Sequence, residues 1–88
     1  LLELARAAFA EWADLIAAAL RRDGVPRAQA RALGLLVVAA FEGGIAMARA
    51  ARSAQPLEDV TGQLESILRA AIAGRRGGAA IRARRLRQ

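Results

Sequence analysis

Residues 31–52, RALGLLVVAAFEGGIAMARAAR, decide how the rest of the chain must fold. From Ala32 to Phe41 they run for ten residues without a polar side chain, and Gly43 to Ala48 adds six more. A helix with one buried face shows an apolar stripe and a polar back. This stretch has almost no polar back, so as a helix it must be covered nearly all round. Leu33, Leu35, Leu36, Val37, Val38 and Phe41 cannot share one stripe, because neighbouring positions stand about 100° apart on a helix. Each such side chain gains about 1.5–3 kcal/mol on burial. Leaving two in water forfeits about 3–6 kcal/mol, against a total stability of only about 5–15 kcal/mol.

Upstream, residues 1–22 read as a helix. Ala5, Phe9, Trp12, Ile16, Ala19 and Leu20 follow helical spacing, with Glu3, Glu11, Asp14 and Arg21 on the other side. Its stop is well marked. Gly24 can take a left-handed conformation, Val25 can fold back, and Pro26 blocks continuation. Pro26 also suits the start of the next helix, which is expected over residues 27–53. Gly34, Gly43 and Gly44 lie inside it, and each costs about 1 kcal/mol against alanine. Two readings stand side by side: close approach of another helix, or simply an alanine- and glycine-rich composition.

Downstream, Ser53 to Gln55 make a short connection and Pro56 opens a third helix over residues 56–73. Glu58 and Asp59 sit where a helix start favours anions. Leu57, Val60, Leu64, Ile67, Leu68 and Ala71 mark its apolar face, and Gly74 is the expected C-cap. Short connections make consecutive helices antiparallel. The fold class is therefore all-α, with three antiparallel helices.

The chain has 88 residues, enough for one small domain. It lacks Cys, His, Tyr and Lys, and all 14 positive charges are arginine. That excludes disulfides, thiolate or imidazole metal sites and Schiff-base chemistry, and no pair of groups is placed for acid–base work. No enzyme and no cofactor are expected. Residues 75–88 hold six arginines and no acid, so residues 1–74 balance at eight against eight. The basic pI belongs to a tail and not to the body. The tail reads either as a flexible, solvated segment or as a basic arm for nucleic acid or an acidic partner. It has no aromatic for base stacking. No signal peptide opens the chain, and Leu1 reads as an internal residue of something longer. The apolar run 32–41 falls short of the roughly 20 residues a bilayer needs, so no membrane is expected. Abundant Ala, Arg and Gly fit a GC-rich bacterial source.

Three helices from one chain cannot cover the second helix, so a second copy is expected to. The natural arrangement is a two-fold homodimer whose second and third helices form an intermolecular four-helix bundle. The expected interface is Ala40, Gly44, Met47 and Ala51 with Leu57, Val60, Leu64, Ile67 and Leu68, although the third-helix residues can instead face helix 1. Phe9, Trp12, Ile16, Phe41 and Ile45 are candidate walls of an apolar ligand pocket, or else ordinary core. Glu42, behind an apolar run, is expected to pair with Arg49, Arg31 or an arginine across the dimer, the alternative being a role facing the ligand.

The ordered series Phe9-x-x-Trp12, Leu20, Gly24, Ala30 to Gly34, Phe41-Glu42-Gly43, Ala48-Arg49-Ala50, Ser53 and Pro56-Leu57 resembles the C-terminal domain of TetR-type bacterial transcriptional regulators, LmrA/YxaF-like branch. The resemblance spans residues 9–68 and is carried by the series, not by one short motif. It implies a regulatory and dimerisation domain, cytoplasmic, that answers to a small inducer and reaches operator DNA through an N-terminal helix-turn-helix. No helix-turn-helix is expected within these 88 residues, and the Arg-rich tail has no place in the family pattern. Two other classes remain open: a purely structural helical homodimer, and a small nucleic-acid-binding protein that uses the tail.

Overall fold

The computed structural model describes the backbone of residues 1–87 and the side chains of residues 1–74 and 84–86. Three α-helices occur in order: α1 (Leu2–Arg22), α2 (Arg27–Ala51) and α3 (Gln55–Arg87). No strand occurs among the described residues. The helices antiparallel to each other are α1 with α2 and α2 with α3, so α2 is the shared middle element. The molecule measures 57 × 30 × 13 Å along its principal axes. Its long dimension is that of α3, whose 33 residues span about 50 Å at 1.5 Å per residue.

The turn after α1 forms as its sequence predicts. Gly24 sits at φ 95°. The Gly24 N–H donates to the Arg21 carbonyl at 2.9 Å and the Val25 N–H to the Leu20 carbonyl at 3.0 Å. This pair of hydrogen bonds, with Val25 packed back on Leu20, is a Schellman motif. The same motif ends α2, but an arginine occupies its left-handed position. Arg52 has φ 52°, its N–H reaches the Arg49 carbonyl at 3.3 Å, and the Ser53 N–H reaches the Ala48 carbonyl at 3.0 Å. The second helix therefore stops at Ala51, two residues before the expected Ser53. The Ser53 hydroxyl then accepts the Gln55 N–H at 3.1 Å and starts α3. Pro56 falls in its first turn, as expected.

The largest departure is at the other end of α3. Gly74 does not cap it, and the helix runs on to Arg87, where a tail was expected. The neighbours on the C-terminal side make the difference from Gly24. Val25 supplies an apolar residue to fold back and Pro26 forbids continuation, whereas Gly74 precedes Arg75 and Arg76, which do neither. A glycine without those partners costs a helix about 1 kcal/mol but does not stop it.

The core is small and lies at one end. Leu20, Val25 and Ala30 are buried together, with Ile16, Ala17, Leu33, Leu68, Ala71 and Ile72 packed around them. Thus α1 and α3 meet where α1 ends and α2 begins. Elsewhere the middle helix stays open: Leu35 is 53% exposed, Leu36 43% and Met47 61%. The excess of apolar circumference expected for α2 is what the fold displays. By length and composition α2 is long and apolar enough to cross a membrane, which residues 32–41 alone are not.

Candidate ligand-binding cleft

Two short helical series face one another across the first part of α1 and the middle of α2. On α1 they are Leu2, Ala5, Arg6, Phe9 and Ala10; on α2 they are Leu35, Val38, Ala39 and Glu42. Each set recurs at three- and four-residue spacing, so each occupies one face of its helix. Together they line a cleft of about 490 Å³ that is open on one side. The volume suits a drug-sized molecule. The walls are apolar apart from Arg6 and Glu42. Arg6 is tied loosely to Glu3 at 3.5 Å, an exposed pair. Glu42 is half-buried and has no ion pair among the described residues, so the expected pairing with Arg49 or Arg31 does not form within this chain.

Two close approaches set the helices that frame the cleft. At Gly34 a Cβ would stand 2.5 Å from the Ala13 carbonyl oxygen and 3.4 Å from the Ala17 nitrogen. Backbone meets backbone there, which holds α1 against α2 just beyond the cleft. At Gly44 a Cβ would stand 3.2 Å from Leu57 Cδ1 and 3.5 Å from Val60 Cβ, seating α3 on α2. Gly43 has nothing within 4 Å. Of the three glycines, then, two mark close helix contacts and one does not.

Of the five residues expected to line a pocket, Phe9 does so. Trp12 stacks edge-on against Phe9, ring centres 5.9 Å apart, and is half-exposed beside the cleft. Ile16 lies in the core cluster at the far end. Phe41 is 42% exposed and outside the cleft. Ile45 is partly buried and does not line the cleft. Leu2, Ala5, Arg6, Ala10, Leu35, Val38 and Ala39 also line the cleft and were not among the residues expected to do so. Their paired spacing was the available signal, but aromatic residues drew the choice elsewhere.

The expected interface residues divide. Ala40, Val60, Leu64 and Ile67 come together with Leu36, Asp59 and Gln63 in a second apolar groove between α2 and α3, of about 340 Å³. Gly44 is turned onto Leu57 and Val60 of its own chain. Leu68 joins the intrachain core, and Met47 and Ala51 are exposed.

The described residues are all-helical, with one apolar cleft between α1 and α2 and one apolar groove between α2 and α3. Residues 1–63 match the family described as transcriptional regulator LmrA/YxaF-like, C-terminal domain, of TetR type. The chain is also 39% identical over 64 residues to an uncharacterised HTH-type transcriptional regulator of Mycobacterium tuberculosis, present in two strains. That alignment takes in 73% of this chain but 33% of the relative, so the chain spans about a third of the length of the curated relatives it matches. No solved structure matches it significantly. This chain belongs to the LmrA/YxaF-like C-terminal-domain family of TetR-type transcriptional regulators. Ligand binding and dimerisation are typical of that family.

Proposed function

We propose that this chain is the regulatory and dimerisation domain of a bacterial TetR-type repressor, working in the cytoplasm and responding to a small apolar inducer. The observation that carries the reading is the cleft between α1 and α2. Its walls are apolar, and one cation and one carboxylate, Arg6 and Glu42, stand at its edge to orient a ligand. The relatives are named as HTH-type regulators. The whole protein would therefore hold operator DNA through an N-terminal helix-turn-helix and use these helices to sense and to pair. Pairing is assigned to the groove of Leu36, Ala40, Val60, Leu64 and Ile67, whose exposed apolar surface a second copy would cover.

Trp12 supplies the test, because it is the sole tryptophan, no tyrosine competes, and it touches Phe9 of the cleft wall. The 88-residue chain is titrated with a panel of planar apolar compounds, neutral and cationic, while Trp12 emission and the melting temperature are followed. Saturable emission change with a raised melting temperature for at least one compound is the expected result. No response from any compound, in a chain shown to be folded, overturns the inducer reading and leaves a structural dimer.

A further inference from the structure

The fold sorts the charges in a way that the order of residues hides. The end of the molecule where α1 finishes and α2 starts comprises residues 12–38 and 64–87. It holds eleven arginines against three acids, a net +8. The opposite end, residues 1–11 and 39–63, holds three arginines against five acids, a net −2. The two together make the +6 of the whole chain. Antiparallel packing is what gathers these charges, since it brings Arg21, Arg22, Arg27 and Arg31 level with the stretch of α3 that carries Arg69. Arg21, Arg27 and Arg31 line one small gap between α1 and α2, with Asp14 as its only carboxylate.

From that same end α3 continues. Ile72 is the last of the described residues packed on the core cluster, and the helix runs 15 residues further to Arg87. Positions 75, 76, 82, 84, 85 and 87 are arginine. The 12 steps from 75 to 87 cover about 18 Å at 1.5 Å per residue, so the arm carries one positive charge per roughly 3 Å. At about 100° per residue these positions lie all round the helix, so they can meet the phosphates of both strands of a duplex, which come one per about 1.7 Å of its axis.

We propose that this arginine-rich end, the arm of residues 75–87 foremost, holds the phosphate backbone of duplex DNA without regard to sequence. Three features choose the partner. Every cation is a guanidinium, whose forked donors match phosphate oxygens in pairs. No aromatic lies in the arm, so bases of single strands have nothing to stack on. Ile81 and Leu86 are its only large apolar residues, too few for a helix that beds into a lipid surface. The arm lies beyond residues 1–63, the part that matches the family. Its DNA contact rests on charge and topology and is independent of whether the cleft takes an inducer.

The test is fluorescence anisotropy of a labelled random-sequence duplex with the 88-residue chain over a salt series. Six phosphate contacts predict a plot of log K against log salt with slope near −5, at about −0.9 per contact. Replacing all six arm arginines with glutamine keeps helix-forming residues while removing the charge. It should bring the slope above about −2 and weaken low-salt binding at least a hundredfold. A chain cut after Gly74 should behave the same, and circular dichroism checks both variants for folding. Changing Arg21, Arg27 and Arg31 to glutamine should give a smaller loss. Unchanged DNA binding by a folded arm variant overturns the proposal. So does tighter binding to phosphatidylserine vesicles or to polyglutamate than to the duplex.

Discussion

Gly34 lies so close to Ala13 that a Cβ on it would stand 2.5 Å from the Ala13 carbonyl oxygen. That oxygen belongs to the backbone of α1 and cannot swing aside as a side chain can. A Gly34→Ala variant must push α1 away from α2 along the crossing that frames the cleft. Alanine's better helix propensity returns about 1 kcal/mol, while overpacking of this kind costs about 1–3 kcal/mol. We expect net destabilisation and a weakened cleft, read as a lower urea midpoint.

The same substitution elsewhere on α2 should change sign. At Gly43 nothing lies within 4 Å, so Gly43→Ala should stabilise the chain by up to about 1 kcal/mol. At Gly44 the nearest atom is Leu57 Cδ1 at 3.2 Å, the movable tip of a side chain. Gly44→Ala should therefore stay within about 1 kcal/mol of the parent. If all three variants melted alike, the assignment of close approach to Gly34 would be wrong.

Arg52 holds a left-handed conformation, φ 52° and ψ 43°, that costs a residue with a Cβ about 1–2 kcal/mol. Arg52→Gly keeps the two terminal hydrogen bonds and removes that cost. A rise in stability near 1 kcal/mol is expected from chemical denaturation, offset in part by glycine's freedom in the unfolded chain.

The helical frame was legible in the sequence wherever two signals agreed. Gly24, Val25 and Pro26 say the same thing, and α1 ends there. Arg52 gave no sign, because arginine has no preference for the left-handed region and only the fold demands it there. Gly74 gave a false sign, being a stop residue without the apolar residue or proline that makes a stop. Gly34, Gly43 and Gly44 are alike as letters, and only the neighbours α1 and α3 tell them apart. Phe9, expected at a pocket wall, lines the cleft. The rest of the cleft is built from Leu, Ala, Val and two charges, which carry no mark of a site until two faces meet.

The cleft can be filled without disturbing its frame. Ala39 lines it and is exposed, so a larger side chain there occupies ligand space without entering the core. For any compound that binds, Ala39→Phe should weaken binding at least tenfold while leaving the melting temperature nearly unchanged. Equal affinity in parent and variant, measured by Trp12 emission, would place the ligand elsewhere.

Pairing of two copies depends, on our reading, on the groove between α2 and α3. Leu64 is a poor probe of it, since it is 8% exposed and its truncation would damage the single chain as well. Ile67 is the better probe. It is 40% exposed and lies in the groove, where on our reading a second copy covers it. A glutamate there meets water in a lone chain at little cost, but in a dimer it would be an unpaired charge in an apolar interface. Ile67→Glu should therefore leave helix content intact and shift sedimentation from dimer to monomer at micromolar concentration. A parent chain that already sediments as a folded monomer, or a variant that still dimerises, would remove the groove from the account.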